Sequence, residues 1–136
     1  MAIPETTAAD LEAEVVAANQ LLATWFGTDA DPAILGRVAA TQAETFSMVD
    51  INGVLVDKSG LAAQLEQAHN SKPGLQIEIT DFQVVLTVDD VTVIRCKERH
   101  HFDGKLHDRW TTALLRTQTT SPRFLWLTLH ETPILD

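Results

Sequence analysis

Apolar residues recur every three or four positions in the first part of the chain. Five residues with this spacing predict a helix with one buried stripe: Leu11, Val15, Ala18, Leu22 and Trp25. Thr6 or Thr7 can cap the start of this helix, and Gly27 follows its end. Asp31 and Pro32 have the residue types favoured at an N-cap and at a first helical position, so they predict a second, short helix.

The pattern then changes from helical spacing to alternation. The segment TFSMVDINGVLVD alternates apolar and polar residues and contains Asn52-Gly53, a pair favoured in two-residue hairpin turns because both residues take positive φ. A third helix, KSGLAAQLEQAHN, follows this hairpin and ends before Pro73-Gly74.

Strand patterns occupy the rest of the chain. The segments 75–88, 91–102, 105–118 and 123–134 read as long strands separated by Asp89-Asp90, Asp103-Gly104 and the polar loop TTSP. The order helix, helix, hairpin, helix and four-stranded meander indicates the α+β class. At 136 residues, the chain is expected to form a single domain over residues 1–136.

This element order, with DINGVLVDKSGL before the third helix and RWTTALL…FLWLTLHET at the end, resembles the nuclear-transport-factor-2-like superfamily. It is most similar to the SnoaL-like small proteins of uncharacterised function. The resemblance implies a cone-shaped, curved antiparallel sheet wrapped around three helices (the cystatin-like or nuclear-transport-factor-2-like fold), with a pocket at its open end. The superfamily includes ketosteroid isomerases, polyketide cyclases, scytalone dehydratase, limonene epoxide hydrolase and many non-enzymes, so the fold alone does not give a function.

The Asp103-Gly104 turn predicts the register of the hairpin around it. Counting outward places His100 opposite His107, Arg99 opposite Asp108 and Glu98 opposite Arg109, and opposite charges across two strands favour that register by about 0.2–1 kcal/mol per pair. Because side chains alternate along a strand, one face is apolar at its inner end and polar toward the turn, as expected of a pocket wall. That face carries Ile94, Cys96, Glu98 and His100 with His107, Arg109, Thr111 and Ala113.

The last strand is apolar on both faces. Leu125, Leu127 and Leu129 share one face, and Phe124, Trp126, Thr128 and His130 share the other. An antiparallel sheet with one wet face should alternate, so the outer face is expected to be covered. We therefore predict a homodimer through four residues of the outer sheet face: Trp110, Leu114, Trp126 and His130.

If the leucines of that strand face inward, Glu131 does too and comes near Arg109. A bulge or a slip by one residue would reverse this assignment, which leaves the faces of His130 and Glu131 open.

The histidine-rich hairpin does not predict a metal centre. His100 and His101 are adjacent on a strand and point to opposite faces, so they cannot readily share an ion with His107. Partly exposed polar residues near a turn are the simpler interpretation. No metal and no cofactor are expected.

Glu98, Arg109 and Glu131 are the candidate catalytic residues. They resemble in kind the Asp–Arg–Asp arrangement of limonene epoxide hydrolase, in which the carboxylates activate water and protonate the epoxide. The alternative is a buried ion-pair network that fixes the strand register without catalysis. The residue pattern favours this alternative over a catalytic role. The chain has no tyrosine, which argues against the oxyanion hole of ketosteroid isomerase and against the scytalone dehydratase scheme.

Composition narrows the partners. The net charge of −9 argues against nucleic acid or an anionic membrane surface as a partner. One cysteine, no recognisable targeting signal and no apolar run of membrane-spanning length favour a reducing, cytoplasmic location.

Two main hypotheses about function follow. The first is a small-molecule-binding protein in which Arg109 orients an anionic or carbonyl group of the ligand. Its predicted pocket has an apolar wall and two histidines: Ile94, Cys96, Phe46, Met48, Leu127, Leu129, His100 and His107. The second is a hydrolase, lyase or polyketide-cyclase-like enzyme acting on an apolar metabolite, with Glu98 or Glu131 as base and Arg109 as electrophilic partner. A third, weaker hypothesis is an assembly module that uses the fold only to dimerise.

Overall fold

The computed structural model describes residues 5–135 of the chain. Its helices and strands are α1 (Ala8–Gly27), α2 (Ala33–Ala40), β1 (Gln42–Val49), β2 (Leu55–Asp57), α3 (Lys58–Gln67), β3 (Gln76–Val88), β4 (Val91–Phe102), β5 (Lys105–Thr117) and β6 (Phe124–Pro133). The predicted order of elements is confirmed. No helix within residues 5–135 is long and apolar enough to cross a membrane.

Side-chain caps determine where the helices begin. Thr7 and Asp10 form a capping box at α1, in which the Asp10 amide donates to the Thr7 hydroxyl at 3.1 Å and the Thr7 amide donates to the Asp10 carboxylate at 3.0 Å. The Asp57 carboxylate accepts the Gly60 amide at 2.8 Å at the start of α3. At α2 the Ala33 amide donates to the Asp31 carboxylate at 2.9 Å.

The six strands form one sheet in the order β2-β1-β6-β5-β4-β3. The predicted meander β3 to β6 is confirmed and is antiparallel throughout, whereas the sheet as a whole is mixed. Strand β1 runs parallel to β6, with Met48 opposite Leu129. After α3, the chain enters the sheet with β3, at the edge opposite β2. The meander then runs back across the sheet, so its last strand, β6, lies beside β1.

The predicted register of the β4–β5 hairpin is confirmed. Asp103 and Gly104 both have positive φ, 53° and 70°, and Glu98 lies opposite Arg109. Arg99 donates to Asp108 from Nε at 2.8 Å and from Nη2 at 2.9 Å. This bidentate pair supports the register at the outer face.

The β1–β2 hairpin forms as predicted, but its turn differs from the predicted one. Gly53 has a positive φ of 79°, whereas Asn52 does not, and the Asp50 amide donates to the Val54 carbonyl at 2.9 Å. The Asp50 carboxylate accepts the amides of Asn52 and Val54 at 2.9 and 3.0 Å. These hydrogen bonds stabilise a three-residue loop, for which only the glycine needs the left-handed conformation.

A β-bulge divides β6. Thr128 lies opposite Leu114 and Trp126 lies opposite Leu115, so Leu127 is the extra residue between these pairs. Trp126 therefore shares the inner face with the fully buried Leu115. The predicted position of Trp126 on the outer face is wrong, because the bulge reverses the alternation of β6 at this point.

Two groups of buried side chains form the core. The larger lies between α1 and the sheet: Leu11, Val15, Phe46, Ile94, Cys96, Ala113, Leu115, Phe124 and Trp126. The smaller lies among the three helices: Trp25, Ala30, Ile34 and Leu65. Trp25 donates from Nε1 to the Leu65 carbonyl at 2.7 Å and stacks on His69, with ring centroids 4.2 Å apart. The aromatic pair fastens α1 to the segment that follows α3.

Candidate functional site

A cavity of about 590 Å³ lies between α1 and the inner face of the sheet. Most of its wall is apolar and comes from α1 and four other elements: Val15, Ala18, Leu22, Phe46, Met48, Leu61, Ile94, Cys96, Trp126 and Leu129. The polar residues that β4, β5 and β6 contribute to the wall lie closer to the β4–β5 turn than the apolar ones do. The cavity thus has an apolar body and a polar end.

The cavity brings together nine of the eleven predicted site residues. Those that line it are Glu98, Arg109, Glu131, His100, Ile94, Cys96, Leu129, Phe46 and Met48. Leu127 is absent from the wall because it is the extra residue of the β6 bulge. His107 is absent because it lies exposed near the hairpin turn, where its Nδ1 is 3.4 Å from Nη2 of Arg109.

Several further polar or aromatic side chains line the wall without having been predicted as site residues, among them Glu14, Asn19, Thr111 and Trp126. The predicted register had already assigned Thr111 to the pocket-wall face of β5 that also carries Arg109. Trp126 could not be assigned to the wall in this way, because the bulge gives no signal in the sequence. Trp126 donates from Nε1 to Glu14 Oε2 at 2.8 Å, and burial raises the pKa of the Glu14 carboxyl.

Glu98 is the most buried charged residue of the polar end, with 6% of its surface exposed. Its Oε1 lies 3.0 Å from His100 Nε2, and its Oε2 accepts the Thr111 hydroxyl at 2.6 Å. Burial by itself raises the pKa of Glu98, but the hydrogen bonds from His100 and Thr111, together with the neighbouring charges of His100 and Arg109, lower the pKa below the ordinary value. Glu98 is therefore a carboxylate at neutral pH.

Glu131 has the opposite electrostatic environment. Burial raises its pKa, the neighbouring charge of Glu98 raises it further, and Arg109 opposes both. Arg109 donates from Nη1 to Glu131 Oε2 at 3.1 Å. The two carboxyl groups of the polar end thus differ in the direction of their pKa shifts, although one cation lies near both.

Arg109 retains one unused donor. Its Nε is the single buried side-chain nitrogen or oxygen without a hydrogen-bond partner within residues 5–135. Burial lowers the pKa of the nearby His107 imidazole, and the positive charge of Arg109 lowers it further. The guanidinium therefore contributes charge to the polar end as well as the hydrogen bond to Glu131.

Cys96 lies in the wall without solvent-exposed surface. Burial raises the pKa of its thiol to about 12, and the charge of Glu98 adds to this effect. Cys96 is therefore a packing residue and a poor nucleophile. In the described part of the chain, no three or more His, Cys, Asp or Glu side chains form a group that could hold a metal ion.

Neither a protein-family model nor a curated protein matches the chain. Solved structures do. An NTF2-like protein of unknown function from Pseudomonas aeruginosa aligns with a TM-score of 0.86 and 26% identity over 92% of this chain and 98% of its own. A protein from Parabacteroides distasonis, provisionally named a ketosteroid isomerase, aligns with a TM-score of 0.70 and 10% identity over 97% of this chain and 91% of its own.

A provisionally named dehydratase of the NTF2-like family from Streptomyces avermitilis aligns with a TM-score of 0.67 and 15% identity over 96% of this chain and 100% of its own. The helices packed on one mixed sheet define an α+β protein with the cystatin-like fold. The chain has the fold of the nuclear-transport-factor-2-like superfamily, and the resemblance in the sequence is confirmed at that level.

Proposed function

We propose that the protein binds a small, largely apolar molecule in the cavity, with the polar end of that molecule against Glu98, His100 and Arg109. The observation that carries this proposal is the arrangement of the cavity, in which apolar walls lead to a few buried polar side chains. Pockets for small molecules commonly have this composition, since the apolar wall supplies affinity and a few polar groups supply orientation.

The charges of the polar end favour a neutral ligand. Glu98 is ionised, and Glu131 already accepts a hydrogen bond from Arg109. An anionic ligand would have to approach the charge of the buried Glu98, which costs free energy. A hydroxyl or carbonyl group avoids this cost. Of the two groups that Arg109 was expected to orient, an anionic and a carbonyl group, the neutral one is therefore favoured.

A neutral fluorescent probe, N-phenyl-1-naphthylamine, tests this proposal. We expect saturable enhancement of its fluorescence, displaced by 1-decanol at a lower concentration than by decanoate. Ala18→Phe fills the cavity from α1 and should weaken probe binding by about tenfold or more, which corresponds to about 1.4 kcal/mol. Ala13→Phe is the matched control, because Ala13 is exposed on the same helix and does not line the cavity. Absence of saturable binding to the wild type would contradict the proposal, and so would equal weakening by both variants.

A second candidate is an enzyme that acts on an apolar metabolite as a hydrolase, lyase or cyclase. The observation that favours it is that Glu98 and Glu131 both line one end of the cavity beside Arg109, in environments that shift their pKa values in opposite directions. Such pairs often mark an acid and a base, although ion-pair networks that only stabilise a fold also shift pKa values. The decisive test is turnover of a metabolite retained by the purified protein: Glu98→Gln and Glu131→Gln should abolish it while the melting temperature is maintained.

The protein is also proposed to form a homodimer through the outer sheet face. Trp110 is 37% exposed there, and Leu106, Leu114 and His130 lie on the same face. Trp126 is not part of this surface, because it faces the core. Sedimentation velocity should give the mass of two chains for the wild type and of one chain for Trp110→Glu, and a wild-type mass of one chain would contradict the dimer.

The free, buried Cys96 supports a reducing location such as the cytoplasm.

A further inference from the structure

We infer that His100 is the proton acceptor of the cavity and that Glu98 positions it. This inference rests on the proposed cavity and refines the enzyme hypothesis, in which Glu98 was a candidate base. The supporting geometry is a chain of three side chains on β4 and β5: Thr111 donates to one oxygen of Glu98, and the other oxygen lies 3.0 Å from His100 Nε2.

Glu98 is poorly placed to receive a proton from a ligand. Both of its carboxylate oxygens already have hydrogen-bond partners, and only 6% of the residue is exposed. A group that reaches Glu98 would have to displace Thr111 or His100. The residue therefore acts through His100, as a carboxylate that orients an imidazole does in other acid–base sites.

The hydrogen bond to Glu98 selects the tautomer of His100. An ionised carboxylate accepts hydrogen bonds and cannot donate, so the hydrogen between Glu98 Oε1 and His100 Nε2 belongs to the nitrogen. In a neutral imidazole, the other nitrogen, Nδ1, then has no hydrogen and offers a lone pair. This is the protonation state that a general base needs.

The free nitrogen is accessible. His100 lines the cavity with 14% of its side chain exposed, and Nδ1 makes no hydrogen bond within residues 5–135. It is also not a buried unpaired atom, since Arg109 Nε is the single such atom in that range. A ligand in the cavity can therefore approach Nδ1, and the Glu98 charge stabilises the imidazolium that forms when Nδ1 takes a proton.

The class of reaction that this arrangement fits is removal of a proton from a weakly acidic C–H group, next to a carbonyl or in a heterocycle. A model substrate is 5-nitrobenzisoxazole. Nδ1 would take the proton from its ring carbon, the C–H electron pair would complete a nitrile, the N–O bond would break and the oxygen would leave as a coloured phenolate. The step balances without an oxidant, a reductant or a cofactor.

Nitrogen-15 NMR of the imidazole side chains tests the positioning role without any ligand. At a pH at which the His100 ring is neutral, we expect its Nε2–H tautomer in the wild type. We expect loss of that single tautomer in Glu98→Gln, because the glutamine amide can donate as well as accept. Thr111→Val is a second, milder variant that removes one hydrogen bond of Glu98 and should retain the tautomer. A wild-type ring in the Nδ1–H form would overturn the inference.

Phenolate release from 5-nitrobenzisoxazole tests the role of His100 as base. The wild-type protein should accelerate it above the buffer rate, and His100→Gln should reduce that acceleration by about a hundredfold. His101→Gln is the matched control, because His101 is the next residue and points to the opposite face of β4. Equal rates in the wild type and in His100→Gln would overturn the inference.

The two proposals can fail separately. Binding of N-phenyl-1-naphthylamine without the predicted tautomer contradicts the role of His100 and leaves the binding function standing. The predicted tautomer and proton transfer without saturable binding of the naphthylamine would support His100 and contradict the proposed binding of apolar molecules.

Discussion

Arg109 donates from Nη1 to Oε2 of Glu131 at 3.1 Å, and each of the two side chains is only 13% exposed. The hydrogen bond crosses from β5 to β6, although Glu98 lies directly opposite Arg109 on β4. Glu98 is bound instead by His100 and Thr111. The single guanidinium of the polar end is thus committed to Glu131, yet burial and the Glu98 charge still raise the pKa of Glu131. The pKa of Glu98 is lowered instead, chiefly by its hydrogen bonds from His100 and Thr111.

Replacement of Arg109 by methionine should destabilise the protein. It leaves Glu131 buried without its hydrogen-bond donor, and removal of one partner of a buried pair typically costs about 3 kcal/mol or more. Protonation of Glu131 limits the loss to the lower end of that range. Urea unfolding at neutral pH measures the difference in free energy of unfolding.

The double variant Arg109→Met/Glu131→Met is the control for the loss of Arg109. Because both polar partners are then replaced by apolar side chains, it should recover much of the stability. A double variant as unstable as the sum of the two single variants would show that the pair is not coupled.

The raised pKa of Glu131 predicts a definite pH dependence of stability. A carboxyl group with a folded-state pKa above its ordinary value of 4.5 binds more protons in the folded state than in the unfolded state. Its contribution is complete below the unfolded-state pKa and is lost as the pH rises through the folded-state pKa. The stability of the wild type relative to Glu131→Gln should therefore fall as the pH rises above about 4.5. Urea unfolding across that range measures it, and a rising difference would contradict the direction of the shift.

The lowered pKa of Glu98 predicts the opposite dependence. Its contribution is complete above the ordinary pKa of 4.5 and is lost as the pH falls through the lower folded-state pKa. The stability of the wild type relative to Glu98→Gln should therefore fall on acidification below about 4.5. The same unfolding series measures both variants, so each is the control for the other. Parallel curves would contradict the assignment of opposite environments to the two glutamates.

The β4–β5 hairpin shows why part of this site is predictable from sequence. A two-residue turn leaves no freedom in register, so counting outward from Asp103-Gly104 gives the partner of every residue up to Arg116. The register alone therefore assigns Glu98, His100 and Arg109 to one face. What the count cannot give is side-chain pairing, since the guanidinium of Arg109 reaches Glu131 and not the residue opposite it.

The β6 strand shows where prediction from sequence stops. The loop before β6 is longer than a two-residue turn and leaves its register open, and apolar residues on both faces remove the alternation that would reveal a bulge. Leu129 and Glu131 have the predicted inward faces because they follow the bulge, with Leu129 opposite Ala113. Trp126 precedes it and faces the core instead of the outer surface.

The thiol of Cys96 is expected to be unreactive in the folded protein. Cys96 has no exposed surface, and burial together with the Glu98 charge raises the pKa of its thiol to about 12. The thiolate is the reactive form, so iodoacetamide at neutral pH should label the native protein far more slowly than the urea-unfolded protein. Mass spectrometry at timed intervals gives both rates.

Ala18→Phe, which fills the cavity from the opposite wall, should leave native labelling slow if Cys96 reacts only after unfolding. Rapid labelling of the native wild type that Ala18→Phe suppresses would instead show that the reagent reaches Cys96 through the cavity.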